Sequence, residues 1–370
     1  MPDIIRGTCY AILAYDIAFS VDLNEAERKI KDVKQRESIK HKRRAPQYFQ
    51  YQPAPLRVTQ EVESLRIGNF QTAPGVDVIL YDFGGASVVY NIPIAGPLSN
   101  LLGLSHDLYE NPILLEDSRR RVQKILSVID GAVTKPNVSN FVEDYAIYQI
   151  EALSPSISVA DIVAGHRQTV AQTLRAETRE LSEDEVSDAM SRRISFGRDD
   201  LTVVDWNSAI VFDPEAEDII AVLEFANVEL MEMRNLDSRL DLALSAAYET
   251  LLKQTWRRFP FGAHPSQMQA VAQWQVDSAI LFEGVNNALK LVGDQYLARL
   301  YRAATDRFHL VEWDTTIIRK LETLDGIYGK ISDRVNTRRM EMLEWIVIIL
   351  ILIEIVMPFI QKLFSSIGAK

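Results

Sequence analysis

The sequence predicts an α+β chain in three parts: an N-terminal α/β domain over residues 1-212, a helical, coiled-coil-like stalk over 213-342 and one C-terminal transmembrane helix over 343-364. Three observations carry this. Up to Phe212, β-rich runs alternate with helical patterns, which puts helices against a sheet. From Asp213-Pro214 onward, apolar residues recur at 3-4 spacing. Near its end the chain reads "LEWIVIILILIEIVMPFI", Leu343 to Ile360, apolar apart from Glu344 and Glu354.

Taken in order, "TCYAILAYDIAF" is mostly apolar and reads as a strand. "DLNEAERKIKDVKQRE" reads as a helix capped by Asp22 or Asn24, with acids early in it. "VDVILYD", "FGG" and "ASVVYNIP" form a hairpin: two β-rich runs about a glycine turn. "PILLEDSRRRVQKILSVIDGAV" has Leu114, Leu115, Val122, Ile125, Leu126 and Ile129 on one side, so it is helical. A strand follows in "NFVEDYAIYQIEAL" and a helix in "ISVADIVAGHRQTVAQTLRAE". "SEDEVSDAMSRR" opens with a capping box, Ser182 and Glu185. "DDLTVVDWNSAIVFD" is a last strand or strand pair.

Asp213 and Pro214 are a helix-start signal, and Glu215 and Glu217 favour the positive helix end. Leu223, Ala226, Leu230, Met233, Leu240, Leu244, Ala247 and Leu251 then mark one stripe to about Arg258, broken by Asp237. "RRFPFGAHPSQ" is a turn. A second helix carries Trp274, Leu281, Val285, Leu289, Val292 and Tyr296, and a third seam runs from Ile317 through Val335 into the apolar segment.

A bilayer core of about 30 Å takes roughly 20 helical residues. Leu343 to Phe364 supplies that length, with Trp345 as interfacial anchor. Ile346 to Ile353 is apolar on every face; the competing reading is a helix buried in a soluble bundle. Lys330, Arg334, Arg338 and Arg339 precede the segment, and only Lys362 and Lys370 follow. The positive-inside rule therefore predicts a tail-anchored, single-pass protein with its N-terminal bulk cytoplasmic. Glu354 is costly at mid-membrane, about 2.5–3.5 kcal/mol on insertion scales. Glu344, Val347, Ile351, Glu354, Pro358 and Gln361 fall at 3-4 spacing and share one stripe, which is expected to face other copies in a homo-oligomer. The alternative is a protonated Glu354 merely tolerated near the exit of a short span.

"RRMEMLEWIVIILILIEIV" resembles the C-terminal signature of the required-for-meiotic-nuclear-division family, an uncharacterised-domain family with bacterial and mitochondrial members. The matching positions are Arg338, Arg339, Leu343, Glu344, Trp345, Ile346 to Ile353 and Glu354. "VDVILYDFGGASVVYNIP" is similar to the family's strand, glycine turn and strand. "VLEFANVELMEMRNLDSRLD" is similar to its long helix, through Leu223, Glu224, Ala226, Leu230, Arg234, Leu236 and Asp237. The resemblance implies membrane association, with support of mitochondrial translation among mitochondrial members, and carries no catalytic activity or cofactor. Without a transit peptide the chain looks like a bacterial member, which places it at the bacterial inner membrane.

The bulk numbers exclude little. The chain has 370 residues, 47% hydrophobic and 25% charged, with a formal net charge of -11. An acidic chain needs a local basic patch to meet nucleic acid. One exists: from Lys29 to Arg44 there are eight Lys/Arg against Asp32 and Glu37, followed by Tyr48, Phe49 and Tyr51. Lys40, Lys42, Arg43 and Arg44 are the candidates for anionic lipid headgroups or RNA, ribosomal RNA included, against the plainer reading of a solvated helix end and loop. Cys9 is the one cysteine, which excludes an internal disulfide and a zinc-thiolate site. His41, His106, His166, His264 and His309 are scattered, with no metal spacing. No GxSxG, Walker A or GxGxxG pattern occurs, and Asp82-Phe83-Gly84 reads as a turn rather than a kinase motif. Arg119, Arg120 and Arg121 follow Glu116 and Asp117 by one turn and read as a solvated face with local ion pairs. The expectation is a non-enzymatic membrane scaffold, without metal or cofactor, that self-associates and holds a protein partner. An ion- or proton-handling assembly along the Glu354 stripe is the alternative, and an enzyme with an unrecognised site the third.

Overall fold

A computed structural model describes residues 2–31, 33–36, 53–154, 158–256 and 295–367. The strands are β1 (Asp3–Asp16), β2 (Ser20–Val21), β3 (Val33–Arg36), β4 (Leu56–Glu61), β5 (Arg66–Ile67), β6 (Phe70–Gln71), β7 (Gly75–Leu80), β8 (Gly85–Pro97), β9 (Val133–Thr134), β10 (Glu143–Ser154), β11 (Arg193–Ile194), β12 (Leu201–Val204) and β13 (Ser208–Phe212). The helices are α1 (Leu23–Lys29), α2 (Asn100–Leu108), α3 (Pro112–Val128), α4 (Val159–Gly165), α5 (Arg167–Arg175), α6 (Glu183–Ala189), α7 (Glu217–Trp256), α8 (Gln295–Arg307) and α9 (Leu310–Ile367). The chain divides into two units, Met1–Asp237 with Leu281–Thr315, and Ser238–Ile280 with Thr316–Lys370.

In the first unit nine strands form one sheet in the order β11-β12-β13-β10-β1-β8-β7-β4-β3. Every pairing is antiparallel except β10 with β13, which are parallel. A parallel joint needs a crossover, and the chain supplies one through α4, α5 and α6. Side chains alternate across the sheet with period two. Cys9, Ala11, Leu13 and Tyr15 of β1 join a core with Leu104 of α2, Leu114, Val122 and Ile125 of α3, and Val170 and Leu174 of α5. Ile12, Ala14 and Asp16 turn to the opposite face, where Asn235 of α7 donates to Asp16.

The β7–β8 hairpin turns at Gly84, whose φ is +100°. A Cβ there would lie 1.9 Å from the carbonyl oxygen of Ala18, so only glycine fits. Asp22 caps α1 by accepting from the backbone N–H groups of Asn24 and Glu25, each at 3.0 Å. The predicted helix, however, stops at Lys29. Val33–Arg36 pairs with β4 instead, because strand pairing at the sheet edge outweighs a local helical pattern. The predicted helix over 157–177 breaks at His166 into α4 and α5. Helix α3 starts where Pro112 predicts, with Asn111 accepting from Ile113 and Leu114.

Helix α7 begins at Glu217, and Asp213 accepts from the N–H of Glu215 at 2.8 Å. Its seam residues Leu223, Ala226, Leu230 and Met233 are buried in the first unit. In the second unit Leu240, Ala243 and Ala247 of α7 and Ile317, Leu324 and Ile327 of α9 are buried, and Lys320 pairs with Asp241 at 2.6 Å.

The predicted transmembrane helix over 343-364 is overturned: among the described residues no helix is long and apolar enough to cross a membrane. The tail anchor and the single-pass placement in a bacterial inner membrane, N-terminal bulk cytoplasmic, fall with it. The apolar run with described side chains ends at Met357. From Leu343 to Met357 it spans about 22 Å at 1.5 Å per residue, short of the roughly 30 Å hydrocarbon core. It also carries Glu344 and Glu354.

Candidate functional site: a buried polar seam and an exposed apolar helix

Two features stand out. The first lies between α7 and the sheet, where apolar packing is the rule. Glu224, Asn227, Glu229, Glu232 and Asn235 are all buried. A helix can carry such a row only if its polar atoms find partners, because an unmet buried polar group costs about 1–3 kcal/mol.

At one end Tyr81 donates to Glu224 Oε1 at 3.3 Å, and Arg57 approaches Glu224 Oε2 at 3.6 Å. The same guanidinium pairs with Asp77 at 2.8 Å, and Thr59 donates to Asp77 at 2.6 Å. Tyr81 stacks on Phe83 with ring centroids 5.3 Å apart. Arg57, Thr59 and Asp77 lie on one sheet face because they stand at alternate positions of paired strands, and Tyr81 follows directly after β7.

Toward the other end Asn227 donates to the carbonyl of Glu143 at 3.3 Å. Arg234 pairs with the Glu143 carboxylate and lies 4.5 Å over the Phe141 ring. Desolvation nevertheless pushes Glu143 up to about 7. Asn235 donates to Asp16, and Ser139 donates to Asn235 Oδ1 at 3.4 Å. Gly85 is cross-strand partner to Asp16. A Cβ at Gly85 would sit 2.9 Å from Val228 and 3.2 Å from Glu232 Oε1, so this glycine makes room for α7. Glu229 points to α8 and accepts from Tyr301 at 2.5 Å; burial pushes its carboxyl up to about 8.

Two further networks are structural. Asp205, fully buried in the β12–β13 turn, accepts from Arg175 at 3.0 Å and Arg307 at 2.5 Å, and both arginines also reach Asp188. This ties α5, α6, α8 and the hairpin together. Asp117 accepts from Tyr90 at 2.8 Å and pairs with Arg121 at 2.5 Å. Of the arginine triplet, Arg119 and Arg120 fit the predicted solvated face, whereas Arg121 turns inward to this buried acid. Cys9 is buried, and desolvation holds its thiol far above the usual range, so it is an inert core residue.

The second feature is the end of α9. Every residue from Met340 to Met357 is exposed. Leu350 and Leu352 are 59% exposed and Trp345 64%. Glu344, Val347, Ile351 and Glu354 share the predicted stripe on this exposed helix. The side chains of Pro358 and Gln361 lie outside the described residues, as do Lys40, Lys42, Arg43 and Arg44. Among the described residues no three His, Cys, Asp or Glu side chains gather as a metal site.

The polar seam escaped the sequence reading, which followed only the apolar stripe of this helix and met Glu224 through the family resemblance alone. The available signal was the scarcity of cations in "VLEFANVELMEMRNLD", which holds Arg234 alone against three glutamates and one aspartate, since a water-facing stripe of this length ordinarily carries several long cationic side chains.

A mixed sheet faced by helices, with a buried polar seam, defines an α+β domain, and its family follows from the comparison. The chain belongs to the family described as "Uncharacterized protein MJ0711, N-terminal domain", which matches residues 6–218. The match runs from β1 into the first turn of α7. Among curated proteins, the uncharacterized protein MJ0711 of Methanocaldococcus jannaschii is 24% identical over 225 residues, covering 60% of this chain and 68% of that protein. No solved structure matches the chain. The C-terminal signature on which the resemblance to the required-for-meiotic-nuclear-division family chiefly rests lies beyond the matched residues.

Proposed function

We propose that the protein is a non-catalytic interaction protein that self-associates through the end of α9 and so presents several copies of its sheet domain together. One observation carries this reading: a continuous helix whose apolar side chains from Leu343 to Met357 are exposed on every face. A helix hydrophobic all round is stable only when buried. Burying one Ile or Leu contributes about 1.5–3 kcal/mol.

Further copies of the same chain are the occupants the charges favour. Arg334, Arg338 and Arg339 precede the run, and Glu354 lies within it. Copies packed antiparallel bring these opposite charges together across the bundle, and a single acid in an apolar seam fixes register. Because the run is apolar on all sides, more than two helices are needed to cover it.

Sedimentation of the full chain tests this. The expected result is an oligomer that Ile349→Asp converts to a monomer with an unchanged far-ultraviolet spectrum. A wild-type chain that is monomeric at micromolar concentration sinks the proposal.

A further inference from the structure

The two acids within the apolar end of α9 differ in what they can meet. Glu354 has Leu350, Ile351, Met357 and Pro358 as its i±3 and i±4 neighbours, so its own helix offers it no cation. An antiparallel second copy does, in the register that faces Glu354 with Arg338 and Arg339. That register leaves Glu344 without one. It sets Glu344 opposite Ile348 and Ile349, and its midpoint falls at Ile346, two residues away. The i±3 and i±4 neighbours of Glu344 on its own helix are Met340, Glu341, Val347 and Ile348, one acid and three apolar residues. Arg339 stands five residues back, outside that reach, and between Arg339 and Lys362 the sequence has no Lys, Arg or His. A copy packed parallel and in register offers only its own Glu344.

In the single chain Glu344 is exposed, and Ile348 and Ile349 are 53% and 50% exposed. The carboxylate therefore keeps its hydration until copies assemble. Assembly carries it close to the middle of an apolar bundle with no cation opposite. Lost hydration disfavours the charged form there, and the like charge of Glu341 one turn back adds to this. An unpaired buried charge costs far more than a neutral carboxyl, so the group takes a proton from water instead. Glu341 and Glu354 are placed differently. Glu341 has Arg338 at i−3, and Glu354 has the arginines of another copy.

We propose, resting on self-association through the end of α9, that assembly is coupled to proton uptake at Glu344: each copy enters the bundle with this carboxyl neutral. The assembled state holds a proton that the free chain has released to water, so lower pH favours the oligomer and higher pH takes it apart. The association constant changes by up to about tenfold per pH unit for each chain that takes a proton. Glu354 acts in the opposite sense, since its pairing with arginine needs the charged form.

The experiment is sedimentation of the full chain from about pH 6 to about pH 9 at fixed ionic strength, above the acid range in which this acidic chain loses its net charge. Far-ultraviolet spectra at each pH check that the helix content is constant. The wild type is expected to associate more tightly at each step down in pH. Glu344→Gln cannot ionise, so it should associate with the same constant throughout, and at the upper end about tenfold or more tightly than the wild type. Glu354→Gln should instead weaken association and keep the pH dependence. A wild-type oligomer of equal strength at both ends of the range overturns the coupling and leaves self-association standing. So does a Glu344→Gln chain that keeps the wild-type pH dependence, or one that associates more weakly than the wild type. A chain that is monomeric at every pH overturns self-association itself and the coupling with it.

Discussion

Single residues set the local geometry on which the seam depends. Gly84 is the clearest: with φ at +100° and the Ala18 carbonyl 1.9 Å from any Cβ, Gly84→Ala must strain the turn and push β1's end away. The expected cost is about 2–3 kcal/mol, read as a lowered midpoint in urea with unchanged slope. Asp205 is a second such residue. It is fully buried between two guanidinium groups. Asp205→Ala removes their buried acid and leaves them only the half-exposed Asp188 in common, and should cost about 3–5 kcal/mol, measured by chemical denaturation. Glu229 gives a pH prediction. Its carboxyl titrates near 8 in the folded chain, raised by burial from 4.5. The folded state therefore holds a proton that the unfolded state has released, and the stability this contributes is lost as pH rises from about 5 through about 8. Glu143, raised to about 7, acts in the same direction. Stability profiles from pH 5 to 9 should slope downward, and Glu229→Gln should flatten the upper part. An unchanged slope in that variant would show that the carboxyl is already ionised.

At the level of elements, the legible features were those with local causes. The β7–β8 hairpin, the Asp22 and Ser182 caps and the Pro112 start all follow from neighbours in sequence, and the structure has each of them. Asn111→Ala, which removes two N–H acceptors from α3, should cost about 1 kcal/mol in thermal unfolding. What could not be read had non-local causes. Val33–Arg36 is a strand because β4 offers an edge twenty and more residues away. The burial of Glu224 and Asn235 was not legible, because nothing in the local pattern shows that the sheet covers one side of α7 and α8 another. The apolar run at the end of α9 was legible as a run, but its interpretation as a span required a length that its described side chains do not reach.

For the whole molecule, the proposed self-association would make stability depend on concentration. Raising the protein concentration should raise the unfolding midpoint, since only the assembled state buries the run from Leu343 to Met357. Glu354→Lys removes the predicted charge match with Arg338 and Arg339 and should lower the association constant measured by sedimentation. If that variant associates as tightly as wild type, the antiparallel arrangement is wrong even where the oligomer itself stands.

The position of β1 has a consequence for how the molecule assembles in time. It is near the start of the chain, yet it is central in the sheet, with β8 on one side and β10 on the other. During synthesis the first strand must therefore wait for residues 85–97 before it gains one neighbour and for residues 143–154 before it gains the other. Pairing across such sequence separations is slow to form. A ribosome-bound chain shorter than β10 exposes one whole flank of its longest strand, and this is the interval in which the nascent protein most needs protection from pairing with its neighbours.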